Sequence, residues 1–215
     1  MIINIVAGGP DELLPDLGQY NDRCIWAGVD RGVFTLLEAG IAPGFAFGDF
    51  DSVKPWQMAE IEGRVKDLKR FKPEKDATDM ELALDWALSL KPKKVRLFGA
   101  TGGRIDHMLA NIQLLVRPLL ENLETIVEII DSKNIVWATG PGVGKKISLL
   151  NDMKYISFVP ASASVTGLTL DGFKYPLKDM FVPFASTLCI SNELTGKSGT
   201  FSFTEGILLV VRSKD

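Results

Sequence analysis

Short apolar runs alternate with amphipathic stretches through the first 131 residues of this chain, and then the alternation stops. The runs at 2–7, 24–29, 45–48, 65–71, 94–98 and 126–131 have the length and side-chain character of buried strands. Between them, 31–39, 55–62, 78–90 and 105–120 read as helices. In the last of these, Leu109, Ile112, Val116 and Leu119 recur at helical spacing and mark one apolar face. Strand and helix in alternation predict right-handed βαβ units and a parallel sheet. The expected fold of this part is α/β, a Rossmann-like parallel sheet with helices on both faces.

Beyond residue 131 the period shortens. Predicted strands fall at 135–138, 145–149, 155–159, 164–170, 187–191, 200–203 and 207–212. Turn formers punctuate them at Gly140-Pro141-Gly142, Asn151-Asp152, Asp171-Gly172, Gly196-Lys197-Ser198 and Glu205-Gly206. Such spacing makes an antiparallel sandwich or barrel, with the sandwich as the expected form. The organisation expected is thus an α/β domain over 1–131 and an all-β domain over 132–215.

Composition narrows the class only a little. A length of 215 residues with 46% hydrophobic side chains describes an ordinary globular protein of one large or two small domains. A net charge of −3 argues against a general nucleic-acid or membrane binder. Cys24 and Cys189 form no CxxC pattern, so neither a disulfide framework nor a thiolate metal site is expected. No signal-peptide pattern opens the sequence, and no apolar run approaches the ~20 residues of a membrane span. A cytoplasmic protein is expected.

The candidate chemistry lies where the predicted parallel strands end. There stand Gly48-Asp49-Phe50-Asp51-Ser52, Lys75-Asp76-Ala77-Thr78-Asp79, and Gly102-Gly103-Arg104-Ile105-Asp106-His107. Ligands of open α/β sheets sit in the crevice beyond these strand ends. Carboxylates gathered there repel one another unless a cation lies among them, and an all-oxygen set suits Mg²⁺. Arg104 and Lys75 beside the acids suggest that the ion arrives with phosphate.

Each cluster also has a structural reading. Gly48–Ser52 has turn composition; in an extended chain Asp49 and Asp51 would project to one side. Thr78 and Glu81 form a capping box, and Asp79 suits a first helical turn, which leaves Asp76 unexplained. The small residues Gly99-Ala100-Thr101-Gly102-Gly103 would let backbone N–H groups approach an anion, or would serve a tight turn. Arg104 could grip phosphate or pair with Asp106. Asp30 ends the second strand as a helix cap or a fourth carboxylate, and His107 is the single histidine. Two sequences imitate a phosphate-binding P-loop, Ser191–Ser198 and Gly140–Lys145; the first lacks its initial glycine and its helix, and the second fails at both ends.

In this order the motifs resemble the bacterial-type thiamin pyrophosphokinases over nearly the whole length. Ala7-Gly8-Gly9-Pro10, Asp30-Arg31-Gly32, the three acidic clusters and Leu109-Ala110-Asn111 carry the resemblance in the first part. Gly167-Leu168-Thr169-Leu170, Tyr175-Pro176-Leu177, Ser191-Asn192-Glu193 and Gly206-Ile207-Leu208-Leu209 carry it in the second. The resemblance implies transfer of the diphosphoryl group of ATP to the thiamine hydroxyl, giving thiamine diphosphate and AMP. It implies Asp49, Asp51 and Asp76 as Mg²⁺ ligands, directly or through water, and Arg104 and Lys75 as phosphate contacts. Asp106 would ligate the ion, orient Arg104 or accept the hydroxyl proton. Substrate binding extends to Asp30, Thr78, Asp79, Gly102, Gly103, His107 and Asn111, with Ser191 and Asn192 toward thiamine. A homodimer with sites shared between its chains is implied as well. The competing readings are a pyrophosphokinase of another heterocyclic alcohol, such as a hydroxymethyl pterin, and a non-catalytic thiamine or nucleotide sensor.

Overall fold

Strand interiors in the first part are almost wholly apolar: Ile3, Ile5, Val6, Ala27, Val95 and Leu97 have no solvent exposure. Burial on both faces is the condition under which parallel strands pair. The computed structural model describes residues 1–50, 53–64, 69–71 (backbone alone) and 76–215. It divides into two compact units, Met1–Ser132 and Lys133–Asp215.

In the first unit, β1 (Ile2–Val6), β2 (Cys24–Val29), β3 (Phe45–Phe47), β4 (Lys69–Phe71), β5 (Lys94–Phe98) and β6 (Ile126–Ile130) pair in parallel. Their order is β4-β3-β2-β1-β5-β6. The chain therefore winds outward from β1 in one direction and returns to lay β5 and β6 on its other side. This reversal is the topological switch point at which open α/β sheets form a crevice.

The crossovers hold α1 (Arg31–Glu38), α2 (Pro55–Arg64), α3 (Asp79–Ser89), α4 (Ile105–Leu114) and α5 (Arg117–Leu120). Val33, Phe34 and Leu37 of α1 pack with Ala46 and Ile61 in one core cluster. Helix α3 buries Met80, Ala83, Leu84, Ala87 and Leu88. The expected single helix over 105–120 is two helices, because Pro118 lacks an N–H and its ring would strike the carbonyl of Leu114. Its buried face is also not the expected stripe. Leu109 is 52% exposed, whereas Asn111, Leu115 and Pro118 are buried. Two 3-10 turns, Asp11–Leu13 and Leu17–Tyr20, occupy the stretch between β1 and β2. No described helix is long and apolar enough to cross a membrane.

The second unit contains β7 (Asn134–Thr139), β8 (Gly142–Ser148), β9 (Tyr155–Pro160), β10 (Ser164–Asp171), β11 (Leu177–Pro183), β12 (Ser198–Phe203) and β13 (Leu208–Ser213). Strand β13 pairs antiparallel with both β7 and β9. A second antiparallel sheet runs β11-β10-β12-β8. Phe158 and Val210 from one sheet and Leu168, Leu170, Phe201 and Phe203 from the other share one core cluster, so the two sheets form a sandwich.

One expectation fails in this unit, and one strand was not expected. The run 187–191 is not a strand; it follows turns closed by Ser186 N–H to Pro183 O and Ile190 N–H to Thr187 O, and Ser191 is left-handed at φ 56°. Strand β11 had no strand pattern to read. Four of its seven residues in a row, Lys178 to Phe181, are exposed, and Asp179 at φ 51° breaks the alternation.

Candidate active site

Beyond the switch point the chain leaves β1 and β5 side by side, with Val6 opposite Phe98. Ala7 N–H donates to Phe98 O at 2.9 Å and Gly9 N–H to Gly99 O at 3.0 Å, zipping the two exit loops together. The approach requires glycine on both sides. A β-carbon on Gly9 would lie 2.5 Å from Gly99 O, and one on Gly99 would lie 2.4 Å from Ala7 O.

Around this seam lies a cavity of about 600 Å³. Its wall comes from the loop after β1 (Ala7 to Pro10), the β2–α1 junction (Val29, Asp30, Arg31), the start of α3 (Thr78, Asp79, Met80), the loop after β5, and His107 and Asn111 of α4. Among the described residues, none accepts from the backbone N–H of Gly8, Gly102 or Gly103, all in lining loops. Such donors suit an anion.

Asn111 fixes the glycine loop from below. It is buried, and its Nδ2 donates to Ala100 O at 2.9 Å. Thr101 Oγ1 donates to Asp131 Oδ2 at 2.8 Å, anchoring the same loop to the end of β6. Thr78 caps α3 by accepting from Glu81 N–H at 3.2 Å. The reciprocal half of the capping box is diverted, since Glu81 Oε1 accepts from Arg117 at 2.7 Å.

Asp30 occupies the N-cap position of α1 at φ 47°, but its side chain makes no cap bond. Its Oδ1 instead accepts from Phe50 N–H at 3.3 Å, tying the end of β2 to the loop after β3. Gly48 leaves room for that carboxylate: a β-carbon there would fall 1.9 Å from Asp30 Oδ1. Phe50 is left-handed at φ 61°, so the segment around it is not extended and the same-side argument for Asp49 and Asp51 does not apply.

Two arginines line the cavity, and each is paired with an exposed carboxylate. Arg104 holds Asp106 bidentately, with Nε 3.1 Å from Oδ1. The guanidinium keeps the Asp106 carboxyl below its ordinary range, while the carboxylate pushes Arg104 up. Arg31 pairs with Asp11 at 2.5 Å. His107 N–H donates to Asp106 Oδ1 at 3.0 Å.

The structure thus brings Asp30, Thr78, Asp79, Gly102, Gly103, Arg104, His107 and Asn111 around one cavity. Asp49, Asp76 and Asp106 are exposed and outside its lining. Among the described residues no group of three or more acidic, histidine or cysteine side chains gathers to hold a metal. Asp51 and Lys75 lie outside the described residues. In the second unit Ser191 is exposed, and its N–H donates to Ser157 Oγ at 2.9 Å. Asn192 is buried: its Oδ1 accepts from Tyr175 N–H and Glu193 N–H, and its Nδ2 donates to Tyr175 O at 2.8 Å. It spans the corner beside Ser191. Glu193 is held below its ordinary range mainly by Lys174, 3.0 Å away.

Sequence reasoning passed over Gly8, Gly9, Pro10 and Arg31 as lining residues. The signal was present, since Ala7-Gly8-Gly9-Pro10 follows the first strand. Its weight depends on β1 being the switch strand, and strand order is not written in a local pattern.

Residues 18–127 match the thiamin pyrophosphokinase catalytic domain, and residues 145–208 match the thiamin pyrophosphokinase vitamin B1 binding domain. The chain belongs to the thiamin pyrophosphokinase family. Among the family's members it is 49% identical to the thiamine pyrophosphokinase of Bacillus subtilis over 214 residues, 99% of each chain. A crystal structure of thiamine pyrophosphokinase from that organism superposes over 100% of both chains with a TM-score of 0.96 at 49% identity. That of the thiamin pyrophosphokinase of Geobacillus thermodenitrificans gives 0.93 at 48% identity, covering 100% of this chain and 98% of the other.

Proposed function

We propose that the chain transfers the diphosphoryl group of ATP to the hydroxyl of thiamine, giving thiamine diphosphate and AMP. The observation that carries this reading is the 49% identity to a thiamine pyrophosphokinase over 99% of both chains. The thiamine hydroxyl oxygen bonds to the β-phosphorus as the bond from that phosphorus to the oxygen bridging to the α-phosphate breaks. AMP departs with the bridging oxygen, and the hydroxyl proton is released to solvent. Reactions of this type are accelerated chiefly by positioning and by neutralising charge.

The cavity of the first unit takes the nucleotide. Glycine-loop N–H groups and Arg104 receive its phosphates, with Lys75 as a further contact. Asn111 and Thr101 hold the loop in place, and Thr78 aims the start of α3. Asp106 orients Arg104, which it holds bidentately. In the second unit Ser191 offers an exposed hydroxyl to thiamine, on a corner whose shape Asn192 maintains.

The oxygen-only donors at the strand ends fit Mg²⁺, which takes one or two protein carboxylates together with substrate phosphate. Asp49, Asp51 and Asp76 would hold it, directly or through water. When bound, the ion neutralises charge on the diphosphoryl unit. The finer description of the first unit as Rossmann-like, with helices on both faces, is supported by the reversal of strand order at β1. The homodimer rests on family resemblance, and a cytoplasmic setting on the use of ATP.

Release of AMP from ATP is the deciding measurement, made with thiamine, with a hydroxymethyl pterin and with no acceptor. Release that depends on thiamine supports the reading. Release with the pterin alone would transfer the activity to that substrate class, and release with neither would leave a binding protein.

A further inference from the structure

The two arginines of the cavity wall share an arrangement that the reaction scheme above uses only once. Arg104 and Arg31 line the cavity, while their carboxylate partners Asp106 and Asp11 do not. Arg31 is the first residue of α1 and follows Asp30, so its guanidinium starts from the strand edge where the nucleotide is placed.

Asp11 is mounted on the 3-10 turn Asp11–Leu13, which is fixed independently. Leu13 O accepts from Ser132 N–H at 2.8 Å. Leu13 and Pro10 also press on the glycine loop, since a β-carbon on Gly102 would meet Leu13 Cδ1 at 2.7 Å and Pro10 Cγ at 2.9 Å. The turn that carries Asp11 is therefore held without Arg31. Side-chain exposures of 36% for Arg31 and 60% for Asp11 make this a surface ion pair, which contributes little to stability. A polyphosphate carries more charge than a carboxylate and offers more acceptors to a guanidinium fork.

We propose that Arg31 is a second phosphate-binding residue, which exchanges Asp11 for the polyphosphate of ATP as the nucleotide enters. This rests on the cavity's being the nucleotide site. Asp11 holds the guanidinium beside the cavity and competes with the nucleotide for it.

The two partners should then act with opposite sign. Calorimetric titration of Mg·ATP into the full chain should show binding at least fivefold weaker in Arg31→Gln than in the wild type. In Asp11→Asn, ATP should bind at least as tightly as in the wild type. In steady-state assays of AMP release, Arg31→Gln should raise KM for ATP and leave KM for thiamine within twofold. Arg31→Lys keeps the charge and loses the fork, so it should fall between wild type and Arg31→Gln; it stands in if Arg31→Gln does not fold. A smaller loss than fivefold in Arg31→Gln (or none in Arg31→Lys), an equal rise in both KM values, or weakened ATP binding in Asp11→Asn would overturn the proposal. Wild-type protein that binds no ATP would instead refute the nucleotide site itself.

Discussion

Arg104 and Asp106, two residues apart, close a bidentate pair at the lip of the cavity with side-chain exposures of 72% and 64%. The pairing sets the direction of the guanidinium. It also has a titration signature. The folded-state carboxyl lies below its unfolded value, so the pair's contribution is present above the unfolded pKa and is lost as pH falls through the folded pKa. Carboxyl ¹³C NMR should therefore find Asp106 titrating below the ordinary aspartate range, and Arg104→Ala should return it upward. An unmoved midpoint in Arg104→Ala would show that the guanidinium is not the cause. Asn111 makes the complementary case, a polar residue turned inward. Asn111→Ala would leave Ala100 O without its donor, at a cost of about 1–3 kcal/mol, and would loosen the glycine loop. KM for ATP should rise along with the fall in melting temperature. Such residues were readable from the sequence as candidates, but not in their roles. Arg104 could pair with phosphate or with Asp106, and the chain alone does not say that Asn111 faces inward while Leu109 faces out.

Among the elements, those with a strong local signal were legible to within a residue or two. Cys24–Val29 and Lys94–Phe98 coincide with their apolar runs, because a buried parallel strand needs little beyond continuous apolarity. The misses have physical causes as well. Pro118 divides the 105–120 helix, and the β11 edge strand exposes four consecutive residues, so neither follows a simple period. Helix α3 tests how closely local structure and site are joined, since its cap is also part of the cavity wall. Thr78→Ala should cost about 1 kcal/mol of stability through the lost cap. Its AMP-release rate should fall by more than that loss in folded protein explains, because the displaced helix start carries Asp79 and Met80. Unchanged kcat and KM with lowered stability would leave Thr78 as a cap alone.

At the scale of the whole molecule, the lining of the described cavity comes entirely from the first unit, while the second unit has a core of its own. The sequence changes its grammar near residue 131, but the strand order that brings the β1 and β5 loops together was not available from it. Long-range pairing is decided by which edges meet, and no residue pattern within a strand encodes that choice. The division of labour leads to a final expectation. Phe158 is fully buried in the second unit, with ring centroids 5.6 Å from Phe173 and 5.1 Å from Phe201. Phe158→Ala would remove the centre of this aromatic cluster and cost about 3–5 kcal/mol. Thiamine-dependent AMP release should collapse, because the segment before Ser191 packs on this core through Cys189 and is bonded to the Phe158 strand, Phe158 N–H donating to Cys189 O at 3.0 Å, so loosening that strand loosens the corner. Calorimetric binding of Mg·ATP should persist within about threefold of the wild type, since every described lining residue lies in the other unit. Hydrogen exchange would show which unit has loosened. If the first unit stays protected and ATP binding is nevertheless lost, the nucleotide requires the second unit, and the assignment of its site to the cavity at the β1–β5 switch point is wrong.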